Sequence, residues 1–168
     1  MLFSCDDDLA KVPNVNLTPL SPAGIGKNIR LVYTDSAKIK AILTSAKNLD
    51  YSNQDFPYSE FPEGLQVEFF DDNDNKSVIT ADYGVLYNQT SLVELRGNVH
   101  LRTHDEKTLK TEQLYWDQGN EWIFTEKRFQ FRSPETDMDA TRLDISRDFK
   151  FFSSDRVFSG EVELEGEQ

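Results

Sequence analysis

The stretch Val93-Glu94-Leu95-Arg96-Gly97-Asn98-Val99-His100-Leu101-Arg102 decides the fold, because apolar and polar residues alternate along nearly all of it. Side chains of a β-strand point in turn to opposite faces of a sheet, so a period of two predicts one apolar and one charged face. Antiparallel sheets with one face on a core and the other in water have this pattern. The stretch therefore predicts a long antiparallel strand.

The alternation extends in both directions from this strand, beginning at Arg30 and continuing almost to the end of the chain. No window predicts a long helix, and only residues 139–148 are compatible with a helical turn or two. The sequence therefore predicts an all-β fold. The other alternating runs are 30–34, 37–43, 65–69, 79–85, 128–132, 142–145 and 161–165, and polar links of hairpin size lie at 71–75, 103–107 and 117–120.

Similar segments follow one another along the chain at a spacing of about 30 residues, which is within the range of stacked repeats. A repeat that is only a pair of strands cannot bury its apolar face alone, so stacking would give one continuous apolar interior. Chance similarity among β-hairpins is the alternative explanation. Segment 80–83 leads to 97–99, segment 111–115 leads to Phe129, segment 139–143 leads to 160–162, and a fainter copy runs from 44–46 to 64–67.

Four stretches in this order and spacing resemble the LptC family of periplasmic lipopolysaccharide-transport subunits and its OstA-like relatives. They are Tyr58-Ser59-Glu60-Phe61-Pro62-Glu63-Gly64-Leu65-Gln66-Val67-Glu68-Phe69-Phe70, Thr80-Ala81-Asp82-Tyr83, Glu94-Leu95-Arg96-Gly97-Asn98-Val99 and Leu109-Lys110-Thr111-Glu112-Gln113-Leu114-Tyr115-Trp116-Asp117. With residues 30–35, the resemblance covers about three quarters of the chain. Met138-Asp139-Ala140 departs from the family, whose members often have glycines in the third repeat.

The resemblance implies an OstA/LptA-like β-jellyroll of stacked antiparallel strands over residues 29–168. It implies a periplasmic carrier, not an enzyme, that needs no cofactor. Such a carrier accepts lipopolysaccharide from an inner-membrane ABC transporter and passes it to the bridge protein LptA or an equivalent. The inward residues predicted to line an apolar groove are Leu95, Val99, Leu101, Leu114, Ile123, Phe129 and Phe131. In a closed sandwich the same residues would be core.

The N-terminus Leu2-Phe3-Ser4-Cys5 resembles a bacterial lipobox, which implies lipidation of Cys5 and anchoring to the inner membrane. Phe3 departs from the usual residue at that position, and an ordinary exposed thiol is the alternative. Residues 6–28 are rich in Pro, Gly and Asn and have no apolar period. We therefore assign residues 1–28 to a lipobox remnant and a flexible tether.

Composition excludes several other functions. The chain has 168 residues and a formal charge of -12, which argues against nucleic acid because phosphate binding needs clustered cations. One cysteine excludes an intramolecular disulfide and a cysteine-rich zinc site.

Asp71, Asn73, Asn75 and Asp82 match part of a calcium-loop pattern, but Lys76 occupies the position that needs glycine, so we predict a hairpin turn. His100 and His104 are predicted to be solvated and not to bind a metal.

A second function stays open at this point, which is a carbohydrate- or ligand-binding β-sandwich lipoprotein. Trp116 and Trp122 flank one predicted hairpin and would form its sugar-stacking platform. Packing in the core or at its rim is the commoner role of tryptophan in small β domains. A stacked carrier needs the repeat of about 30 residues, whereas a sandwich does not.

Overall fold

The computed structural model describes residues 21–71, 73–146 and 151–162, and Cys5 lies outside them. Eleven strands form in these residues and pair antiparallel throughout one sheet, which confirms the all-β prediction. The strands are β1 (Gly24–Asp35), β2 (Lys38–Asp50), β3 (Tyr58–Phe61), β4 (Leu65–Phe70), β5 (Lys76–Ala81), β6 (Tyr83–Tyr87), β7 (Leu92–Arg102), β8 (Thr108–Asp117), β9 (Trp122–Arg132), β10 (Thr136–Ser146) and β11 (Phe152–Val162). No helix in these residues is long and apolar enough to cross a membrane.

The predicted links at 71–75, 103–107 and 117–120 join β4 to β5, β7 to β8 and β8 to β9. The helical turns allowed at 139–148 were wrong for the described part, because β10 continues to Ser146 and pairs on both sides with β9 and β11. β1 begins at Gly24, and residues 24–27 of the segment assigned to the tether pair with residues 47–50 of β2.

The sheet folds into two layers because β2 and β7 each pair with different strands along their length. Residues 41–44 of β2 pair with β4, and residues 49–50 pair with β3. In the same way, residues 100–102 of β7 pair with β5, and residues 92–96 pair with β6. We call the side that contains β4 and β5 the first layer and the side that contains β3 and β6 the second layer.

The long strands cross from one layer to the other through a bend. β7 shifts register against β8 between Arg96 and Val99, and β10 shifts against β9 between Thr141 and Leu143. Gly97 has a φ of 71° there, and a Cβ at Gly97 would lie only 3.2 Å from the Asp82 side chain. Such bulges bend a strand and increase its twist. The hairpin turns at 71–75, 103–107 and 117–120 lie at the other ends of the layers, which we call the rim.

One apolar core fills the space between the layers. Val67 and Ile79 of the first layer and Leu95 and Leu114 of the second belong to a single cluster of buried residues. The backbone of β6 lies close to the Leu65 side chain near the bend, because a Cβ at Gly84 would lie only 2.7 Å from it. The structure thus has the two facing layers and shared interior of a jellyroll-like fold.

Candidate functional site

The interior between the layers is the candidate site, and the structure brings all seven predicted lining residues together there. Each is buried and belongs to the same core cluster. The strand register brings them together. Leu95 of β7 lies opposite Leu114 of β8, and Leu101 lies opposite Leu109, which in turn lies opposite Phe131 of β9. Buried apolar side chains from both layers fill this interior.

Aromatic contacts across the layers close this interior at the rim. Phe69 of the first layer meets Trp116 of the second edge-on, with ring centroids 4.3 Å apart. Phe131 of the first layer and Phe152 of the second lie 5.4 Å apart. The sequence placed Phe69 on an apolar strand face but gave no signal that Trp116 is its neighbour.

The outer face of the second layer carries a buried carboxylate that the sequence assigned to the wet face. Glu94 is only 2% exposed. It accepts hydrogen bonds from Nε and Nη2 of Arg96, both at 2.7 Å, from the hydroxyls of Tyr115 and Tyr87 at 3.0 and 3.1 Å, and from the amide of Gln113. Burial alone would raise the pKa of Glu94, but these hydrogen bonds outweigh it and lower the pKa below its usual value. This cluster ties β6, β7 and β8 together.

Trp116 and Trp122 do not form one binding platform. Trp116 is 5% exposed and packs in the core. Trp122 lies on the opposite face, where its indole nitrogen is 3.4 Å from Asp144 and its ring contacts Phe151. The register of the hairpin explains the separation, because Trp116 pairs with Ile123 and Trp122 pairs with Asp117.

The loop that resembles a calcium site is a turn. Asp71 accepts hydrogen bonds from the backbone of Asn73 and Asn75 and from the Asn75 side chain, all at 2.9 Å. The Asn75 hydrogen bonds lower the pKa of Asp71. Asp82, the other acidic position of the pattern, instead accepts from Asn98 at the bend. Among the described residues, no group of three or more His, Cys, Asp or Glu side chains is placed to hold a metal ion.

Two sheet edges are the remaining candidate surfaces. In the described part of the chain β1 pairs only with β2, and β11 pairs only with β10. Apolar side chains lie exposed along both edges, including Leu31 and Val32 of β1 and Val157 of β11. An open edge offers unpaired backbone groups to another strand. Both ends of the sheet therefore have the chemistry of strand-pairing surfaces.

Comparison with known proteins gives one family. The sequence model described as lipopolysaccharide-assembly, LptC-related, matches residues 12–150, which is most of the chain. A comparison with curated proteins gives no significant match.

Proposed function

This chain belongs to the LptC-related family of lipopolysaccharide-assembly proteins, and we propose that it is a passive carrier for this lipid. It has a role in lipopolysaccharide transport as a component of the periplasmic envelope machinery. In our proposal it accepts the lipid from an inner-membrane ABC transporter and passes it to a periplasmic bridge protein of similar fold. The continuous apolar interior between the two layers is the observation that carries this proposal.

Acyl chains are the part of lipopolysaccharide that an apolar interior stabilises most. Removing a methylene group from water is worth about 0.8 kcal/mol, so a chain of ordinary length would be costly to move through water. The polar sugar end would stay outside at the rim, where Asp35, Lys40 and Glu121 lie near the aromatic closure. No bond is made or broken in this process, so the carrier needs no catalytic group.

Loading requires the layers to separate at the rim, because the interior is packed. The bend would act as the fixed side, since the backbone N–H of Asp82 donates to the carbonyl of Gly97 there at 3.0 Å. The rim is held by ring contacts, and an aromatic pair contributes only about 0.5–1.5 kcal/mol beyond its buried area. Acyl chains would replace these contacts with apolar contacts of their own.

The two open edges support a handover between proteins of like fold. Strand addition at an edge gives affinity through main-chain hydrogen bonds and would continue the apolar interior from one protein into the next. We propose that the transporter and the bridge protein each pair with one of the edges β1 and β11. Lipidation at Cys5, which lies outside the described residues, would hold the carrier at the inner membrane in the periplasm.

Photo-crosslinking tests whether the lipid enters the interior. A benzophenone amino acid at Phe131 faces the interior near the rim, and one at the neighbouring Gln130 faces water. We expect lipopolysaccharide to crosslink at Phe131 and not at Gln130 in cells with an active transporter. Equal labelling at both positions would show adsorption to the surface and contradict the proposal.

A further inference from the structure

We propose that the indole N–H of Trp116 donates a hydrogen bond to a carbonyl oxygen of the bound lipid, at the ester or amide that joins an acyl chain to the sugar. This inference rests on the proposed function and assigns a positioning residue to it. Trp116 would thereby fix how far the acyl chains enter the interior.

Trp116 lies at the boundary between the interior and the rim. Its cross-strand neighbours are Val93 and Ile123, both buried in the second layer. Its ring contacts Phe69 of the opposite layer. A lipid that separates the layers therefore passes directly over this ring.

The indole nitrogen of this ring is a buried hydrogen-bond donor. Nε1 of Trp116 is buried and has no hydrogen-bond partner among the described residues. Buried polar groups are nearly always paired, and an exception calls for an explanation such as a ligand or a water molecule. A phenylalanine would fill the same core position without an unpaired donor, so the N–H of Trp116 is the feature that the proposed ligand would explain.

A small cavity beside Trp116 indicates what size of group the site accepts. It has a volume of about 30 Å³ and is lined by Tyr33, Asp35, Lys40 and Ala41 from β1 and β2 and by Trp116, Gln118 and Glu121 from β8 and the turn after it. This space holds one water molecule or one small polar group. It is too small for a sugar ring or an acyl chain.

The position of the cavity selects a carbonyl group. Its lining combines Ala41 and Trp116, which belong to the apolar core, with the charged residues Asp35, Lys40 and Glu121. An acylated sugar placed across that boundary has its ester and amide carbonyls at the same level, between the chains inside and the hydroxyls outside. A carbonyl oxygen is an acceptor, which is what the indole N–H needs.

Trp122 provides a matched control within the same chain. It is the only other tryptophan. It lies on the outer face, and its indole nitrogen is within 3.4 Å of Asp144. Its N–H signal should therefore not respond to a lipid that enters the interior.

Indole N–H signals in nitrogen-15 NMR spectra test the hydrogen bond directly, with Trp122→Phe used to assign the two signals. The probe is purified lipopolysaccharide with a short sugar core, and its fully deacylated carbohydrate is the control ligand. We expect the acylated lipid to move the Trp116 proton downfield and to leave Trp122 in place, and the deacylated carbohydrate to move neither.

Different failures separate this inference from the proposed function. If the lipid crosslinks at Phe131 but leaves the Trp116 signal in place, the carrier function stands and the hydrogen bond is refuted. If the lipid neither crosslinks nor moves the signal, both are refuted. A Trp116 signal already downfield in the lipid-free protein and unmoved by lipid would show that water is its acceptor, which also refutes the inference.

Affinity measurements add a second test. Trp116→Phe keeps an aromatic ring but removes the donor, and we expect lipopolysaccharide to bind roughly 2- to 10-fold more weakly, as one lost hydrogen bond predicts. Phe69→Leu alters the same ring contact but keeps the N–H, so it should bind more tightly than Trp116→Phe. Equal losses in the two variants would assign the effect to packing and overturn the inference. If Trp116→Phe does not fold, the NMR experiment on the wild-type chain still tests whether the hydrogen bond forms.

Discussion

Replacing Glu94 by glutamine should destabilise the fold even though the side chain keeps its shape. The carboxylate is acceptor-only and receives donors from Arg96, Gln113, Tyr87 and Tyr115. A glutamine amide turns one of the two acceptor oxygens into a donor group, which then faces these donors without an acceptor. The substitution also removes the charge that strengthens the two bonds from the Arg96 guanidinium.

The expected loss is about 2–3 kcal/mol at pH 7. A hydrogen bond to a charged group contributes about 1.5–3 kcal/mol, against about 0.5–1.5 kcal/mol for a neutral one. The Arg96 side chain is 52% exposed, so water takes over part of its charge and the loss stays below that of a fully buried ion pair. Glu112→Gln is the control, because Glu112 is exposed on the adjacent strand β8 and should change stability by less than about 0.5 kcal/mol.

The effect should depend on pH. The folded pKa of Glu94 lies below its ordinary value of 4.5. The ionised form is therefore favoured by folding, and its contribution is fully present above pH 4.5 and is lost as the pH falls through the lower, folded pKa. The difference between wild type and Glu94→Gln should shrink over that acidic range.

Urea unfolding followed by tryptophan fluorescence measures both effects. We expect the variant to have a lower midpoint at pH 7 with an unchanged dependence on urea, and a smaller difference from wild type in acid. A Glu94→Gln protein as stable as Glu112→Gln at pH 7 would refute the structural role of this cluster. A difference that is the same at every pH would refute the assignment of the effect to the charge.

Three further predictions follow from the bend, the edges and the imidazole of His100, which is half-buried and not solvated as the sequence predicted. Gly97→Ala should cost about 1–2 kcal/mol, because the φ of 71° disfavours any Cβ, whereas Gly119→Ala, with its nearest neighbour at an ordinary 3.5 Å, should be nearly neutral in the same unfolding assay. Val32 and Val157 are 42% and 56% exposed on the two edge strands. Val32→Lys should abolish pull-down of one partner, either the transporter or the bridge protein, and Val157→Lys should abolish pull-down of the other. Retention of both partners by both variants would contradict edge pairing. Burial together with Lys110 and Arg102 lowers the pKa of His100, so its NMR titration midpoint should fall below 6.5. The free energy of unfolding should therefore decline as the pH drops below 6.5. The part of this decline that is due to His100 should be absent from His100→Gln.

Local features of the chain were predictable from sequence because they depend on near neighbours. The period of two around Leu95 and Val99 fixes which side chains turn inward, and the polar links fix the hairpins. All seven predicted lining residues accordingly lie in one interior. The family resemblance added the jellyroll, which alternation alone does not distinguish from other β architectures.

Features that depend on long-range pairing were not predictable. The division of β2 and β7 between two layers needs partners far away in sequence, and so does the contact of Phe69 with Trp116. Glu94 was assigned to the wet face because its charge fits the alternation, but Tyr87 and Tyr115 from neighbouring strands cover it. Arg142 has a φ of 56° at a bulge, where pairing on both sides overrides the local pattern that allowed a helical turn.

The central claim is that acyl chains occupy the space between the two layers. Nuclear Overhauser effects between acyl-chain protons of bound lipopolysaccharide and labelled methyl groups of the protein test it most directly. Ile79 and Val78 are neighbours on β5, and only Ile79 is fully buried in the interior. We predict contacts from the lipid to Ile79, Leu95 and Leu101 and none to Val78. Contacts confined to exposed methyl groups such as Val32 and Val157, with none in the interior, would contradict the account.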